Sequence, residues 1–184
     1  MIGLTSSSRG EGVSTLTQNL AIGAAETLQL PVLVVDANFD HPILERRFRL
    51  KTQSGLRDLL SGKATPQDCF QQASNQDLVV LGPGKPSKNT SALHDHAAWR
   101  EMLTAFKKSF ALVLVDMPVV ETLVAQFTLA DLCDGILLVV QAEQTRKRAV
   151  VRAKDELQRV RAEMIGVVLN KRRNHIPSWL YQHV

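Results

Sequence analysis

The stretch Thr5-Ser6-Ser7-Ser8-Arg9-Gly10-Glu11-Gly12-Val13-Ser14-Thr15 decides the fold. It follows a short apolar run, Met1 to Leu4, and precedes a helical pattern carried by Leu16, Leu20, Ala21 and Ala24. The order is strand, glycine-rich loop, helix. The phosphate-cradling consensus for such a loop is G-x-x-x-x-G-K-[ST]. In that register Ser7 stands for the first glycine, Gly12 for the second, Val13 for the lysine, and Ser14 for the hydroxyl residue. The loop has the outline of a phosphate cradle without its main cation.

Further along, Val32-Leu33-Val34-Val35-Asp36 and Ala111-Leu112-Val113-Leu114-Val115-Asp116 are short β-branched runs, each ending in a carboxylate. They have the signature of strands buried on both faces. Leu78 to Leu81, Gly135 to Gln141 and Met164 to Asn170 read as further strands, the last ending in Asn170. Helices are expected over Ser14 to about Gln29, Gly55 to Gly62, Trp99 to Lys108, and Thr145 to about Arg161. Such alternation predicts an α/β, three-layer fold with a mostly parallel central sheet and helices on both faces. In sheets of this kind ligands sit at the carboxyl ends of the strands. The residues expected there are the Ser7–Thr15 loop, Asp36, Asp116 and Asn170.

The chemistry follows from those residue types. Backbone N–H groups of the loop and the positive end of the following helix hold a phosphate, and Gly10 and Gly12 allow close approach. Ser14 would hold Mg²⁺ together with phosphate oxygens, and Asp116 would orient the metal's waters. Asp36 could serve similarly or activate an attacking group. Asp36 and Asp116 are thus the candidate catalytic residues. Ser14, Asp36 and Asp116 are the candidate metal set. Ser8, Arg9, Gly10, Glu11, Gly12, Val13, Ser14 and Thr15 are the candidate nucleotide-binding loop.

With these motifs in view, the chain resembles the cytoplasmic P-loop domain of bacterial tyrosine kinases, and more distantly the partition and division-site ATPases. The family loop T-S-S-x-P-G-E-G-K-S-T, followed by N-L-A, is similar to Thr5–Thr15 and Asn19-Leu20-Ala21. The family's L-L-I-D-A-D-x-R-x-P is similar to Leu33 through Pro42, and its L-V-L-V-D-T-P-P-V to Leu112 through Val120. Gly166-Val167-Val168-Leu169-Asn170 resembles the strand whose terminal Asn contacts the adenine. The resemblance implies ATP or ADP with Mg²⁺ at the loop and Asn170 at the base. It also implies work with a membrane-embedded polysaccharide copolymerase in capsule or exopolysaccharide production, in the cytoplasm at the inner face of the plasma membrane.

The departures carry as much information. Val13 replaces the lysine that bridges the terminal phosphates, Asn38 replaces the second acidic residue of the next motif, and Asp40 replaces its arginine. Together these imply a pseudokinase-like site, drifting from catalysis. Arg9 stands where the family has Pro; a cation returned to the phosphates and an exposed loop arginine are both open readings. The family also carries a helix before the first strand and a tyrosine-rich tail, whereas this sequence opens on the strand and holds one tyrosine, Tyr181. An active kinase or ATPase that tolerates Val13 is the second reading. A partition-type ATPase acting on DNA or membrane is the third, and nucleic acid is not the expected partner.

Bulk properties bound the rest. The chain has 184 residues, 45% hydrophobic and 22% charged, enough for one domain spanning 1–184 with its own core. Net charge is +4, and the excess lies in the last quarter: Gln141 to Val184 holds ten Lys/Arg against four Asp/Glu. Such asymmetry suits a solvated helix face or contact with an anionic partner, whether a membrane surface, nucleic acid or an acidic protein face, and self-association is a further expectation. Cys69 and Cys133 are expected as free buried thiols. His94-Asp95-His96 lacks a convincing third metal ligand. Ile176, Trp179, Leu180 and Val184 form an apolar end expected to dock onto the fold or dip into a membrane interface.

Overall fold

A computed structural model describes residues 1–51, 53–73, 77–87, 90–126 and 129–172. The apolar end from Ile176, with Tyr181, lies outside the described residues. Seven strands form one sheet: β1 (Ile2–Ser6), β2 (Val32–Asp36), β3 (Phe70–Gln72), β4 (Leu78–Leu81), β5 (Leu112–Asp116), β6 (Gly135–Gln141) and β7 (Met164–Asn170). Their order is β3-β4-β2-β5-β1-β6-β7. All pairings are parallel except that of β3 with β4. The helices are α1 (Val13–Leu28), α2 (Leu44–Phe48), α3 (Leu56–Leu60), α4 (Pro66–Cys69), α5 (His96–Ser109), α6 (Val120–Gln126) and α7 (Lys147–Arg159).

The continuous apolar runs behave as strands covered on both sides. On one face Leu4, Val34 and Leu114 pack with Val13, Ala21 and Ala25 of α1 and Leu44 of α2. On the other, Leu33, Val115 and Leu138 pack with Leu56 of α3, Trp99 and Phe106 of α5, and Leu157 of α7. Full burial of side chains this size is worth about 1.5–3 kcal/mol each. β7 departs from the two-faced expectation: Ile165, Val167 and Leu169 are 50%, 47% and 61% exposed. As the last strand it has a neighbour on one side only.

The order places the site. β1 sits between β5 and β6, so the chain leaves it toward β2 on one side and later crosses to β6 on the other. This reversal is the switch point where α/β sheets open a crevice at their carboxyl ends. The loop 7–12, Asp36 and Asp116 all emerge there, with Asp36 and Asp116 opposite each other in register.

Helix α5 begins earlier than the apolar pattern suggests because Asp95 caps it, accepting from the N–H groups of Ala97 at 2.9 Å and Ala98 at 3.1 Å. His96 turns to Asp131 at 3.1 Å. Among the described residues no cluster of three or more His, Cys, Asp or Glu forms a metal site. Cys69 and Cys133 are buried and free. Helices α2, α4 and α6 and strand β3 are too short for a periodic pattern, and the sequence does not announce them.

Candidate functional site

The loop between β1 and α1 is held rigidly by its own glutamate. Glu11 is 3% exposed. Its carboxylate accepts from the Ser7 hydroxyl at 3.1 and 3.2 Å and from the Ser8 N–H at 2.9 Å. It also accepts from the Thr145 hydroxyl, which ties the loop to the end of β6. Among the candidate loop residues, Glu11 is therefore a clamp, and the Ser8 amide is spent on it.

From the other side the end of β7 closes on the same loop. Asn170 Nδ2 donates to the Glu11 carbonyl at 2.9 Å, and Lys171 Nζ to the Gly10 carbonyl at 2.5 Å. Gly12 sits at φ +98°. Its conformation is one that L side chains avoid, and a Cβ would stand 2.3 Å from Asn170 Nδ2. The Asn170 amide, expected at a base, here braces the loop. Lys171 was missed in the sequence; its position directly after the strand-ending Asn170 was the signal.

Helix α1 starts without a cap. Gly12 contributes no side-chain bond, and the first turn holds no acidic residue. Its first N–H groups and the positive end of its dipole are therefore free to meet an anion. Along this end runs a cavity of about 480 Å³, lined by Gly10, Gly12, Val13, Ser14, Arg47 and Lys171 among others. Val13 is 8% exposed and packs against the α1-side core. Arg9 lies on the lip that this cavity shares with a second one against α7.

The two strand-ending carboxylates differ. Asp36 accepts from the Asn38 N–H at 3.1 Å and the Leu44 N–H at 3.2 Å, so it anchors the following loop and the start of α2. Burial, then the neighbouring Asp116 charge, pushes its pKa well above the usual carboxylate range. Asp116 is 1% exposed, and neither of its carboxyl oxygens has a hydrogen-bond partner among the described residues. Burial pushes its pKa up to about 7, while the Ser14 hydroxyl, outside hydrogen-bond geometry, and the Arg47 charge pull it down. A buried carboxylate left without partners is costly. Beside a hydroxyl and an uncapped helix end, this donor set fits a hard divalent cation that keeps several waters and shares phosphate oxygens. Ser14 and Asp116 would hold such an ion. Asp36, engaged by two amides, would stand behind them.

A central β1 feeding a glycine loop and an anion-ready helix, with carboxylates at the ends of β5 and β2, defines a P-loop nucleoside-triphosphatase-like domain. The family model of the cellulose biosynthesis protein BcsQ matches residues 1–165, and the chain belongs to that family. Its homologues include the tyrosine-protein kinase CpsD of Streptococcus agalactiae serotype Ia, 30% identical over 93% of this chain and 74% of the relative. Among solved structures, the chimerical protein CapA2B2 superposes with a TM-score of 0.86 at 29% identity, covering 94% of this chain and 76% of that one. The septum site-determining protein MinD of Pyrococcus horikoshii, complexed with Mg-ADP, shares the fold. Its TM-score is 0.78 at 22% identity, over 98% of this chain and 75% of that one.

Proposed function

We propose that residues 1–184 form a single nucleotide-binding domain that acts as a regulatory component of capsule or exopolysaccharide synthesis and export. It works at the inner face of the plasma membrane through a membrane-embedded copolymerase. Mg-ATP or Mg-ADP occupies the cavity, with Gly10, Gly12, Val13, Ser14 and Thr15 around the phosphates and Ser14 and Asp116 at the metal. Homologues named as tyrosine-protein kinases, and a family model named for cellulose biosynthesis, support the setting. No helix among the described residues is long and apolar enough to cross a membrane.

One observation carries the regulatory reading: Val13 stands at the lysine position and turns an apolar side chain into the core beside the cavity. Each charge-assisted hydrogen bond that a lysine would make is worth about 1.5–3 kcal/mol. Its absence weakens phosphate binding by roughly one to two decades. It weakens phosphoryl transfer more, because charge grows on the phosphoryl oxygens in the transition state. A second reading, an active autokinase or ATPase, is favoured by the arginines and the lysine that line the cavity.

Calorimetric titration with Mg-ATP and Mg-ADP tests the proposal. Binding without turnover supports it. Micromolar binding with rapid turnover favours the second reading. No binding at millimolar nucleotide removes the nucleotide-site part of both.

A further inference from the structure

Val13 leaves the cradle short of a cation, and three cationic side chains line the same cavity: Arg9, Arg47 and Lys171. Their engagements differ. Lys171 Nζ is bonded to the Gly10 carbonyl at 2.5 Å and reaches Gln141 Oε1 at 3.4 Å, so it is engaged in holding the loop. Arg9 lies on the lip between two cavities. Arg47 reaches the first turns of α1, where Nη2 donates to Thr15 Oγ1 at 2.8 Å and Nη1 to Gln18 Oε1 at 2.9 Å.

Both partners of Arg47 are neutral, and no acid pairs with it among the described residues. The guanidinium thus lies against the positive end of a helix dipole with no anion in the first turn to offset it. A phosphate at that helix end would complete the charge arrangement. Arg47 bonds Thr15, the residue after Ser14, and its charge is felt at Asp116. Exchanging neutral acceptors for phosphate oxygens gives charge-assisted bonds, and the planar guanidinium can make two in parallel. Its position is set by Asp36, which accepts from the Leu44 N–H and so anchors the first residue of α2.

We propose that Arg47 supplies, from α2, the phosphate-directed cation that the loop lacks at Val13. The inference rests on the nucleotide reading above and identifies the residue that makes it workable without the loop lysine. Arg47 is a binding residue in this role, and Asp36 is its positioning residue.

The experiment is calorimetric titration of the whole chain with Mg-ATP. The proteins are wild type, Arg47→Ala, Arg47→Gln, Val13→Lys and the double variant Val13→Lys/Arg47→Ala. Arg46→Ala, an exposed neighbour on α2, is the control. The expected loss is roughly 10- to 100-fold in affinity for both Arg47 variants, with Arg46→Ala unchanged. Val13→Lys should recover most of that loss in the double variant, because the two cations then serve one phosphate. Thermal melts of each variant separate binding from folding, and the Arg47 variants are expected within a few degrees of wild type. Arg47 variants that bind within twofold of wild type overturn the inference and leave the nucleotide reading standing. A double variant that stays as weak as Arg47→Ala, while Val13→Lys alone tightens binding, also overturns it. Wild type and Val13→Lys both failing to bind overturns the nucleotide reading itself.

Discussion

The ends of β2 and β5 look alike in sequence and do opposite things in the fold. Each is an apolar run closed by an aspartate, and the two aspartates face each other across neighbouring strands. Asp36 is satisfied by two backbone amides and holds α2 in place. Asp116 is equally buried, and its carboxyl oxygens have no hydrogen-bond partner among the described residues. A buried carboxylate with partners is architecture. One without them costs stability until something binds, and on the proposed reading Mg²⁺ is what binds there.

The largest expected effect is on the satisfied member. Asp36→Leu leaves the buried Leu44 N–H and the part-buried Asn38 N–H without an acceptor, at about 1–3 kcal/mol for the first and less for the second. Urea unfolding should show a loss of roughly 1–4 kcal/mol by the same arithmetic. A loss below half a kcal/mol would erase the distinction between the two sites.

Next comes pH. Both pKa values are raised in the fold, so the folded state binds more protons than the unfolded one above the ordinary carboxylate range. Stability is therefore greatest at low pH with respect to these groups. It falls as pH climbs from about 4 through the Asp116 value of about 7. Asp116→Asn removes part of that slope. It should stabilise the ligand-free protein at pH 8 by on the order of 1–3 kcal/mol, seen as a melting point raised by several degrees. The same variant should lose Mg²⁺-dependent nucleotide affinity. A destabilised Asp116→Asn would mean that Asp116 is architecture too.

A smaller test concerns the loop that both aspartates serve. Gly12→Ala forces a Cβ onto Asn170 Nδ2 at an unfavourable φ and should cost about 1–3 kcal/mol. Asn170→Ala in the same background should relieve part of that cost, since it removes the clash. The smallest effect is expected at Arg9, which is exposed on the cavity lip. Arg9→Ala should change stability by less than about 0.5 kcal/mol, and Mg-ATP affinity by less than twofold.

The sequence made the frame legible because buried parallel strands are long unbroken runs of Val and Leu. Five of these, after Met1–Leu4, needed no tertiary information to be recognised. The glycine loop and both aspartates were legible for the same reason: each sits at the end of such a run. What could not be read lies in short elements. Helix α2 has five residues, too few for a period, and lacks the glycine that closes α3, so nothing in the pattern singles out Arg47. Glu11 read as a loop residue at the phosphates; its role as a clamp depends on Thr145, 134 positions away. The partners of Asn170 and Lys171 are likewise set by the neighbourhood of β1 and β6 in the sheet, which the chain order does not state.

The central claim is that the cradle holds Mg-nucleotide and that its missing lysine slows transfer. The most direct measurement is phosphoryl transfer and hydrolysis from γ-labelled Mg-ATP by wild type and Val13→Lys, side by side at saturating nucleotide. The expected result is saturable binding in both proteins, with wild-type turnover at least about 100-fold below that of Val13→Lys. Equal and rapid turnover in the two proteins would contradict it.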